Sequence, residues 1–346
     1  MNSVQSRSGW FPAAICLALI LVCIGCQVPP EAAEKSSDDQ LTEELLQQEL
    51  AQRRDQAVAL YVDAMMLSEL NDHAEAIRKL EMATDLDPDF ALAFSLKGDI
   101  FQQIQEYEKS AQAYEKATKI DPWSFRDFFN LGNVYQILKD FAKAVKAYVA
   151  ACNLDPAHFE AHYKAARCFY TLQEYDQSME YARMAKAIDP QQPGPEILLG
   201  ELFESRKEHV EAINAYRRAL ELEGNKPEIM LPLARAYLRS GRYSAARELL
   251  AVVVDMEPDN SMAHQYMGFA LLRLRELPEA IESYKRAVET ADQDYMAHKS
   301  LGVAYMIQFF SNRDETSKAL ALEQWTISLQ INPDQPKLKQ FLTQYR

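Results

Sequence analysis

The side chains of this sequence with the most versatile chemistry are its six histidines. An imidazole can bind zinc or transfer a proton near neutral pH. His158 and His162 stand four residues apart, a spacing that can place two zinc ligands together. His158 falls in a predicted turn, however, and no cluster of Cys or His completes a zinc site. The sequence therefore predicts no metal site.

Three of the histidines share one phase of a longer pattern. His162, His264 and His298 are separated by multiples of 34 residues, and Phe94 and Phe128 occupy the same phase in two other copies. We interpret these histidines as packing residues, because an aromatic ring replaces them elsewhere. The sequence also contains no Gly-rich phosphate loop, no G-x-S-x-G and no H-E-x-x-H motif. It predicts a protein that is not an enzyme and that needs no cofactor.

The five cysteines fall into two groups. Cys16, Cys23 and Cys26 lie near the N-terminus, whereas Cys152 and Cys168 lie in the interior of the chain. The second pair is predicted on helix surfaces that face each other, and an exported protein meets an oxidising compartment. Two interpretations stay open: one disulfide between Cys152 and Cys168, or two buried free thiols.

The N-terminal segment reads as a signal peptide. Arg7 is the only charged residue before Glu31, and the run from Trp10 to Gly25 is apolar apart from Pro12. Such a run is too short to span a bilayer comfortably and is typical of a signal-peptide core.

The segment ends in VCIGC, residues 22–26. This resembles a bacterial lipobox, in which a small residue precedes a cysteine that is lipidated and becomes the new N-terminus. Gly25 fits the small position, whereas Cys23 departs from the leucine that the family prefers. The resemblance implies a palmitate-type lipid anchor at Cys26, which would hold the protein on a membrane. The alternatives are an ordinary cleaved signal and an uncleaved anchor.

The resemblance also implies a location. Gln27 follows Cys26, and in such lipoproteins the absence of Asp there permits transfer to the outer membrane. We therefore expect a protein of the bacterial cell envelope that is lipid-anchored at the periplasmic face of the outer membrane. The residues that follow, 27–39, are polar and contain proline, which predicts a tether.

The rest of the chain follows a period of 34 residues. Residues 125–158 read as two short amphipathic helices, the second of which ends before Pro156. Helix-ending prolines recur at Pro88, Pro122, Pro156, Pro190 and Pro258. A small residue recurs in the first helix at Ala64, Gly98, Gly132, Ala166, Gly200, Ala234, Gly268 and Gly302.

This pattern resembles the tetratricopeptide repeat (TPR). The resemblance implies an all-α protein, a right-handed α-solenoid of about eight TPR helical hairpins with capping helices. The expected segments are a signal peptide (1–25), a lipidated Cys and tether (26–39), an N-terminal capping helix (40–56), the TPR array (57–334) and a C-terminal capping segment (335–346). The expected repeats are 57–90, 91–124, 125–158, 159–192, 193–226, 227–260, 261–294 and 295–334.

Two segments interrupt the pattern. Residues 189–196 contain three prolines and a glycine, which predicts that the first helix of repeat five starts late. About seven extra residues around 309–315 separate the two helices of repeat eight. They form either a longer helix end with an exposed loop or a partner-binding protrusion that bears Phe309 and Phe310.

The charge balance limits the class of partner. The chain has 51 acidic and 37 basic residues and a net charge of −14. No basic stripe for phosphates is found, so the sequence predicts no nucleic-acid partner.

The expected binding surface follows from the resemblance. In TPR proteins certain positions of the first helices line an inner, concave surface and contact a peptide. Here those positions are Arg126, Phe129, Asn130, Asn133 and Gln136; Tyr163, Lys164, Arg167 and Tyr170; and Arg235, Arg239, Tyr266, Phe269, Arg273 and Lys299. Aromatic rings supply contact area, amides bond a peptide backbone and cations pair with carboxylates.

The sequence thus predicts a non-catalytic, membrane-tethered scaffold or adaptor. It would bind a protein or peptide partner in its groove during cell-envelope assembly. The alternative is a regulatory or substrate-binding subunit of an enzyme, or of a secretion or pilus complex, encoded elsewhere.

Overall fold

The computed structural model describes residues 37–345 of the chain, with side-chain environments from residue 41 onward. These residues form seventeen α-helices and no strand, so the all-α prediction is confirmed. None of the described helices is both long and apolar enough to cross a membrane. The predicted signal peptide, Cys26 and most of the predicted tether lie outside the described residues.

The helices follow one another in antiparallel pairs. Their bounds are α1 Ser37–Glu69, α2 His73–Leu86, α3 Ala91–Gln103, α4 Tyr107–Ile120, α5 Phe125–Ile137, α6 Phe141–Leu154, α7 Phe159–Thr171, α8 Tyr175–Ile188, α9 Pro193–Ser205, α10 His209–Glu223, α11 Pro227–Arg239, α12 Tyr243–Met256, α13 Ser261–Arg273, α14 Leu277–Thr290, α15 Tyr295–Asn312, α16 Glu315–Ile331 and α17 Pro336–Tyr345. Each odd-numbered helix from α1 to α15 forms a hairpin with the next even-numbered helix, and successive hairpins stack.

The turn inside each hairpin repeats one backbone conformation. One residue of the turn has a positive φ in seven successive hairpins: Asn71, Gln105, Lys139, Gln173, Lys207, Gly241 and Arg275. Only one of these residues is glycine, although the left-handed region is costly for other residues. The hairpin packing therefore imposes this turn on the local sequence.

Glycine in the first helix is needed where an aromatic ring of the second helix packs on it. A Cβ atom added at Gly132 would lie 2.6 Å from the Tyr148 ring, closer than atoms can pack. The same contact, within 2.4–2.8 Å of a ring, is found in four other hairpins: Gly98 with Tyr114, Gly200 with Tyr216, Gly268 with Tyr284, and Gly302 with Trp325.

The other three hairpins have different residues at both positions of this contact. Where the first helix has alanine instead of glycine, the residue facing it is aliphatic: Ala64 packs in one cluster with Leu80, Ala166 with Ala182, and Ala234 with Leu250. The two positions therefore vary together, because the space between the helices holds either a ring or an added methyl group, not both.

The N-terminal capping helix expected over 40–56 is continuous with the first helix of repeat one. Helix α1 runs without a break from Ser37 to Glu69. The reason is local, because the sequence across the expected boundary, residues 51–58, contains no glycine or proline that would end a helix. The chain divides into two units between Asp55 and Gln56, within this helix.

The prediction of a late helix in repeat five was wrong. Helix α9 begins at Pro193, in the same phase as the other first helices. Proline is tolerated in the first turn of a helix, where its missing N–H has no intrahelical partner. The stack continues across this point, since Lys186 of α8 pairs with the buried Glu196 of α9 at 2.7 Å.

In repeat eight the extra residues lengthen the helices. Helix α15 extends to Asn312, and α16 starts at Glu315. Phe309 packs at the edge of the last hydrophobic cluster, and Phe310 lies 5.7 Å from Tyr345 of α17 (ring centroids). The structure therefore agrees with the interpretation as a longer helix end.

The glycine–ring contact gives a stability prediction. Gly132→Ala should destabilise the protein, because an overpacking cost of about 1–3 kcal/mol exceeds the helix-propensity gain of about 1 kcal/mol. In a Tyr148→Leu background the ring is absent and only the gain remains, so the same substitution should become stabilising. Urea unfolding of the four proteins of this cycle measures both changes. An equal effect of Gly132→Ala in the two backgrounds would contradict the packing argument.

Candidate functional site

The odd-numbered helices form one layer of the stack, in which α7, α9, α11, α13 and α15 contact their odd-numbered neighbours. We call the surface of this layer that bears the predicted partner-binding residues the first-helix face. These residues are Arg126, Phe129, Asn130, Asn133 and Gln136 on α5; Tyr163, Lys164, Arg167 and Tyr170 on α7; Arg235 and Arg239 on α11; Tyr266, Phe269 and Arg273 on α13; and Lys299 on α15.

Tyrosines of the second helices extend their hydroxyl groups between the helices to the polar side chains of this face. The Tyr148 ring rests on Gly132, and its hydroxyl group lies 2.9 Å from Asn133 Oδ1 and 2.8 Å from Gln136 Oε1. Burial raises the pKa of the Tyr148 hydroxyl far above its ordinary value, so it stays protonated and can donate. The side-chain amides of Asn133 and Gln136, which the sequence predicts to bind a peptide backbone, therefore already have a hydrogen-bond partner within the chain.

Lys164 joins α7 to α5. Its Nζ donates to Asn133 Oδ1 at 2.6 Å, pairs with Glu160 at 3.3 Å and lies 5.2 Å from the centroid of the Phe129 ring. The structure thus brings Phe129, Asn133 and Lys164 together, as the repeat phase predicts. It also directs the lysine inward, to partners of its own chain.

Arg126 is likewise paired. It forms an ion pair with Asp99 of α3, which also accepts a hydrogen bond from the Tyr114 hydroxyl. Asn130 Nδ2 lies 3.4 Å from the same hydroxyl. Burial raises the pKa of Asp99, and the bond from Tyr114 and the charge of Arg126 oppose that effect. The sequence interpretation missed Asp99, although it stands in the phase of Asn133 one repeat earlier.

Glu204 of α9 is a second residue that the sequence interpretation missed. Its side chain is only 4% exposed, and it pairs with Arg235 at 2.6 Å and with Arg239 at 3.3 Å. The Tyr216 hydroxyl lies 3.1 Å from Glu204 Oε2. The bond to Glu204 raises the pKa of Arg235, so this arginine is held charged inside the chain's own network.

Tyr163 and Arg167 of α7 contact each other. The Tyr163 ring packs over Gly194, where an added Cβ would lie 2.7 Å from the ring. Arg167 is exposed, lies over this ring at 5.9 Å and bonds its hydroxyl at 3.4 Å. Nearby, burial raises the pKa of Glu201, and the charges of Arg167 and Arg235 oppose it. Tyr170 is half-buried and, like Tyr163, packs against a hydrophobic cluster that includes Ala166 and Leu198.

A second group lies on α13. Arg273 stacks over the Tyr243 ring at 4.6 Å and over the Phe269 ring at 5.9 Å. Tyr266 packs against the hydrophobic cluster that includes Leu250 and Ala270.

Lys299 lies on α15. It is half-buried, and its carbonyl oxygen accepts a hydrogen bond from Trp325 Nε1 at 3.3 Å.

The first-helix face is therefore less positive than its sequence suggests. Four of the seven predicted cations carry ion pairs within the chain: Arg126, Lys164, Arg235 and Arg239. In the part of the chain that the structure describes, Arg167, Arg273 and Lys299 have no carboxylate within ion-pair distance. The cations that remain for a partner lie on α7, α13 and α15.

A comparison with known families identifies the chain. The sequence profile described as Cilia and flagella-associated protein 70 C-terminal domain matches residues 31–301. The chain belongs to this family. It is a TPR protein, as predicted. No curated protein sequence matches it.

Solved TPR structures are similar to the chain. The APC/C hetero-tetramer Cut9–Hcn1 is similar with a TM-score of 0.50 and 16% identity over 91% of this chain and 57% of that chain. YrrB, described as a TPR protein with an unusual peptide-binding site, has a TM-score of 0.49 and 19% identity over 54% of this chain and 96% of its own. A TPR protein from Parabacteroides merdae ATCC 43184 has a TM-score of 0.47 and 15% identity over 72% of this chain and 99% of its own. At these identities the likeness concerns the fold alone.

Four histidines of this TPR protein form hydrogen bonds with the backbone of the hairpins. His158 caps α7, where its Nδ1 accepts the Ala161 N–H at 3.2 Å. His162, His264 and His298 are buried, and each places Nε2 at 2.8–3.2 Å from a backbone carbonyl oxygen six residues earlier. Burial lowers the pKa of His162. These contacts agree with the packing interpretation.

Of the two interpretations of Cys152 and Cys168, the structure agrees with the second, since both are buried free thiols. Cys152 packs with Ala161 at one end of the α6–α7 contact, whereas Cys168 packs with Tyr148 further along. In an antiparallel pair this offset amounts to about seven residues, or roughly 10 Å of helix. Burial raises the pKa of Cys152 to about 12 and that of Cys168 to about 11, so neither thiol ionises near neutral pH.

The Glu204 network gives the second prediction. Glu204→Gln removes the buried charge that two half-exposed arginines share, and should lower the free energy of unfolding by about 1–3 kcal/mol. Glu282→Gln is the matched control, since its ion pairs are exposed, and should cost less than about 0.5 kcal/mol. Urea unfolding of both variants measures the difference. Equal losses would show that Glu204 does not stabilise the stack in the way described.

Proposed function

We propose that this TPR protein is a non-catalytic scaffold that binds a protein or peptide partner on its first-helix face. In this proposal a lipid on Cys26 tethers it to a membrane of the bacterial cell envelope, at the periplasmic face of the outer membrane, where it takes part in envelope assembly. Stacked repeats of this kind present extended surfaces that other proteins occupy.

One observation carries the binding proposal. Most polar groups of the first-helix face are satisfied by the chain itself, but Tyr163 and Arg167 of α7 combine a broad ring with an exposed guanidinium that forms no ion pair with the described residues. Arg167 is thus the cation of this helix that a partner carboxylate or backbone carbonyl can reach without breaking an existing ion pair.

The surroundings of this pair favour an extended segment of polypeptide. Helix α5 carries Gln136 and helix α9 carries Glu201, so donors and acceptors are present on three consecutive first helices. A peptide that crosses these helices can use its backbone groups along the whole path. The proposal therefore places α7 at the centre of the binding surface.

Crosslinking at Arg167 tests the binding surface. A photo-crosslinking amino acid at position 167 should trap a specific partner in cells, whereas the same amino acid at Arg183, an exposed arginine of α8, should not. With that partner purified, Arg167→Glu should weaken binding at least tenfold and Arg183→Glu should not, because only the former repels a bound carboxylate. Equal crosslinking at the two positions would refute this placement of the site.

Fractionation of cells tests the membrane tether. Cys26→Ser should move the protein from the membrane fraction to the soluble fraction, because the substituted residue cannot be acylated. Cys23→Ser is the matched control and should leave the protein with the membrane. If the Cys26→Ser protein stays membrane-bound, the lipid anchor at Cys26 is not what holds it there.

A further inference from the structure

The opposite side of the stack contains a groove that the proposed function does not use. It lies between α12 and α14, above α13, with a volume of about 690 Å³. Its walls include the apolar side chains of Ala251, Val254, Met267 and Leu271. A largely apolar groove of this size falls within the range of sites that hold a small ligand or a large side chain.

The groove has one hydrogen-bond acceptor at its base. His264 is 7% exposed, and its Nε2 lies 2.8 Å from the carbonyl oxygen of Pro258. A carbonyl can only accept, so Nε2 carries the hydrogen, and in the neutral imidazole Nδ1 is left as an acceptor. Among the described residues no group bonds to this Nδ1, although His264 lines the groove.

Two other repeats show how the chain covers the same position. In repeat four the Tyr181 ring lies 5.8 Å from the His162 ring (centroids), and Nδ1 of His162 is sealed from solvent. In repeat eight the Gln324 side chain covers this position, with its Oε1 2.7 Å from Nδ1 of His298.

The residue in the same phase of repeat seven is Ser283. Its short side chain lines the groove, and its hydroxyl donates to its own helix, to Glu279 O at 3.0 Å. The groove is therefore open because Ser283 replaces a long side chain, and its unused acceptor faces a space that a ligand can enter.

The rim of the groove favours a cation. Three carboxylates border it, of which Glu248 and Asp255 are exposed and form no ion pair in the described part of the chain. Glu282 is the third, with Lys285 and Arg286 at 3.7 and 3.8 Å.

The two arginines of the rim already have partners. Arg247 pairs with Glu276 at 2.9 Å, and Arg286 pairs with Glu289 at 3.2 Å. Their charges are thus balanced within the chain, and the unpaired charge at the groove is negative. An oppositely charged partner is attracted to such a rim.

We propose that this groove is a second docking site, for a basic segment of a partner protein that inserts a tryptophan side chain. The indole ring occupies the apolar groove, and its N–H donates to Nδ1 of His264. Lysine or arginine residues beside the tryptophan pair with Glu248 and Asp255. Because this site lies on the other side of the stack, it does not depend on the binding proposed for the first-helix face.

Fluorescence anisotropy with the purified full-length protein at neutral pH tests the proposal. The probes are three fluorescein-labelled nine-residue peptides: a central Trp flanked by lysines, a central Ala flanked by lysines, and a central Trp flanked by glutamates. The Lys–Trp peptide should bind, and each of the other two should bind at least tenfold more weakly. If the Lys–Trp peptide does not bind, or if the Ala peptide binds equally well, the proposal is overturned.

Substitutions at Ser283 locate the binding. Ser283→Tyr, which introduces the residue of repeat four, should fill the groove and weaken Lys–Trp binding at least tenfold; Ser283→Gln, the residue of repeat eight, serves if that variant does not fold. Ser283→Ala should bind as the parent protein does, because the serine hydroxyl bonds to its own helix. Unchanged binding by a folded Tyr or Gln variant would overturn the proposed site.

The rim is tested separately. Glu248→Gln with Asp255→Asn should weaken binding of the Lys–Trp peptide about threefold to tenfold, whereas Glu108→Gln, at an exposed position of α4, should leave it unchanged. An equal effect of the rim and control variants would show that only the net charge of the chain attracts the peptide, which contradicts the site.

Discussion

The packing of an aromatic ring against a bare helix backbone sets the separation of the two helices in most hairpins of this protein. Gly132 has no Cβ, so the Tyr148 ring reaches the backbone of α5. Where the ring is absent, as at Leu250, the facing residue Ala234 carries a methyl group instead. A ring that faces glycine and an aliphatic side chain that faces alanine fill the space between the two helices in similar ways, so the helix separation is kept. A constant separation allows similar hairpins to stack in one dimension.

That contact has a second consequence at the first-helix face. A tyrosine that rests on glycine extends its hydroxyl past the first helix, where it meets polar side chains such as Asp99, Asn133 and Glu204. These groups then attract cations of the next repeat, such as Lys164 and Arg235. The stack therefore ties neighbouring repeats together with the same side chains that would otherwise bind a partner, and Arg167 of α7 forms no ion pair with the described residues.

Variation within the repeat explains why the two sides of the stack differ from place to place. Three histidines occupy one phase and make the same backbone contact through Nε2. The residue in the facing phase of the second helix is Tyr181, Ser283 or Gln324, and of these three the serine lines the groove described above. A single position can thus open a groove without a change in the backbone, because the neighbouring hairpins already hold the walls in place.

The sequence by itself determined the all-α class, the phase of the hairpins and the burial of the repeating small residues. These features depend on spacing along one helix and on where proline ends it. It also placed the predicted face on the odd-numbered helices. It did not reveal that α1 is continuous, or that Arg126 and Arg235 are neutralised. Their partners Asp99 and Glu204 lie 27 and 31 residues away along the chain. Only the tertiary structure decided which charges, thiols and imidazole nitrogens are free of contacts within the chain. Those contacts depend on the offset between adjacent hairpins, and a local sequence pattern does not contain that offset.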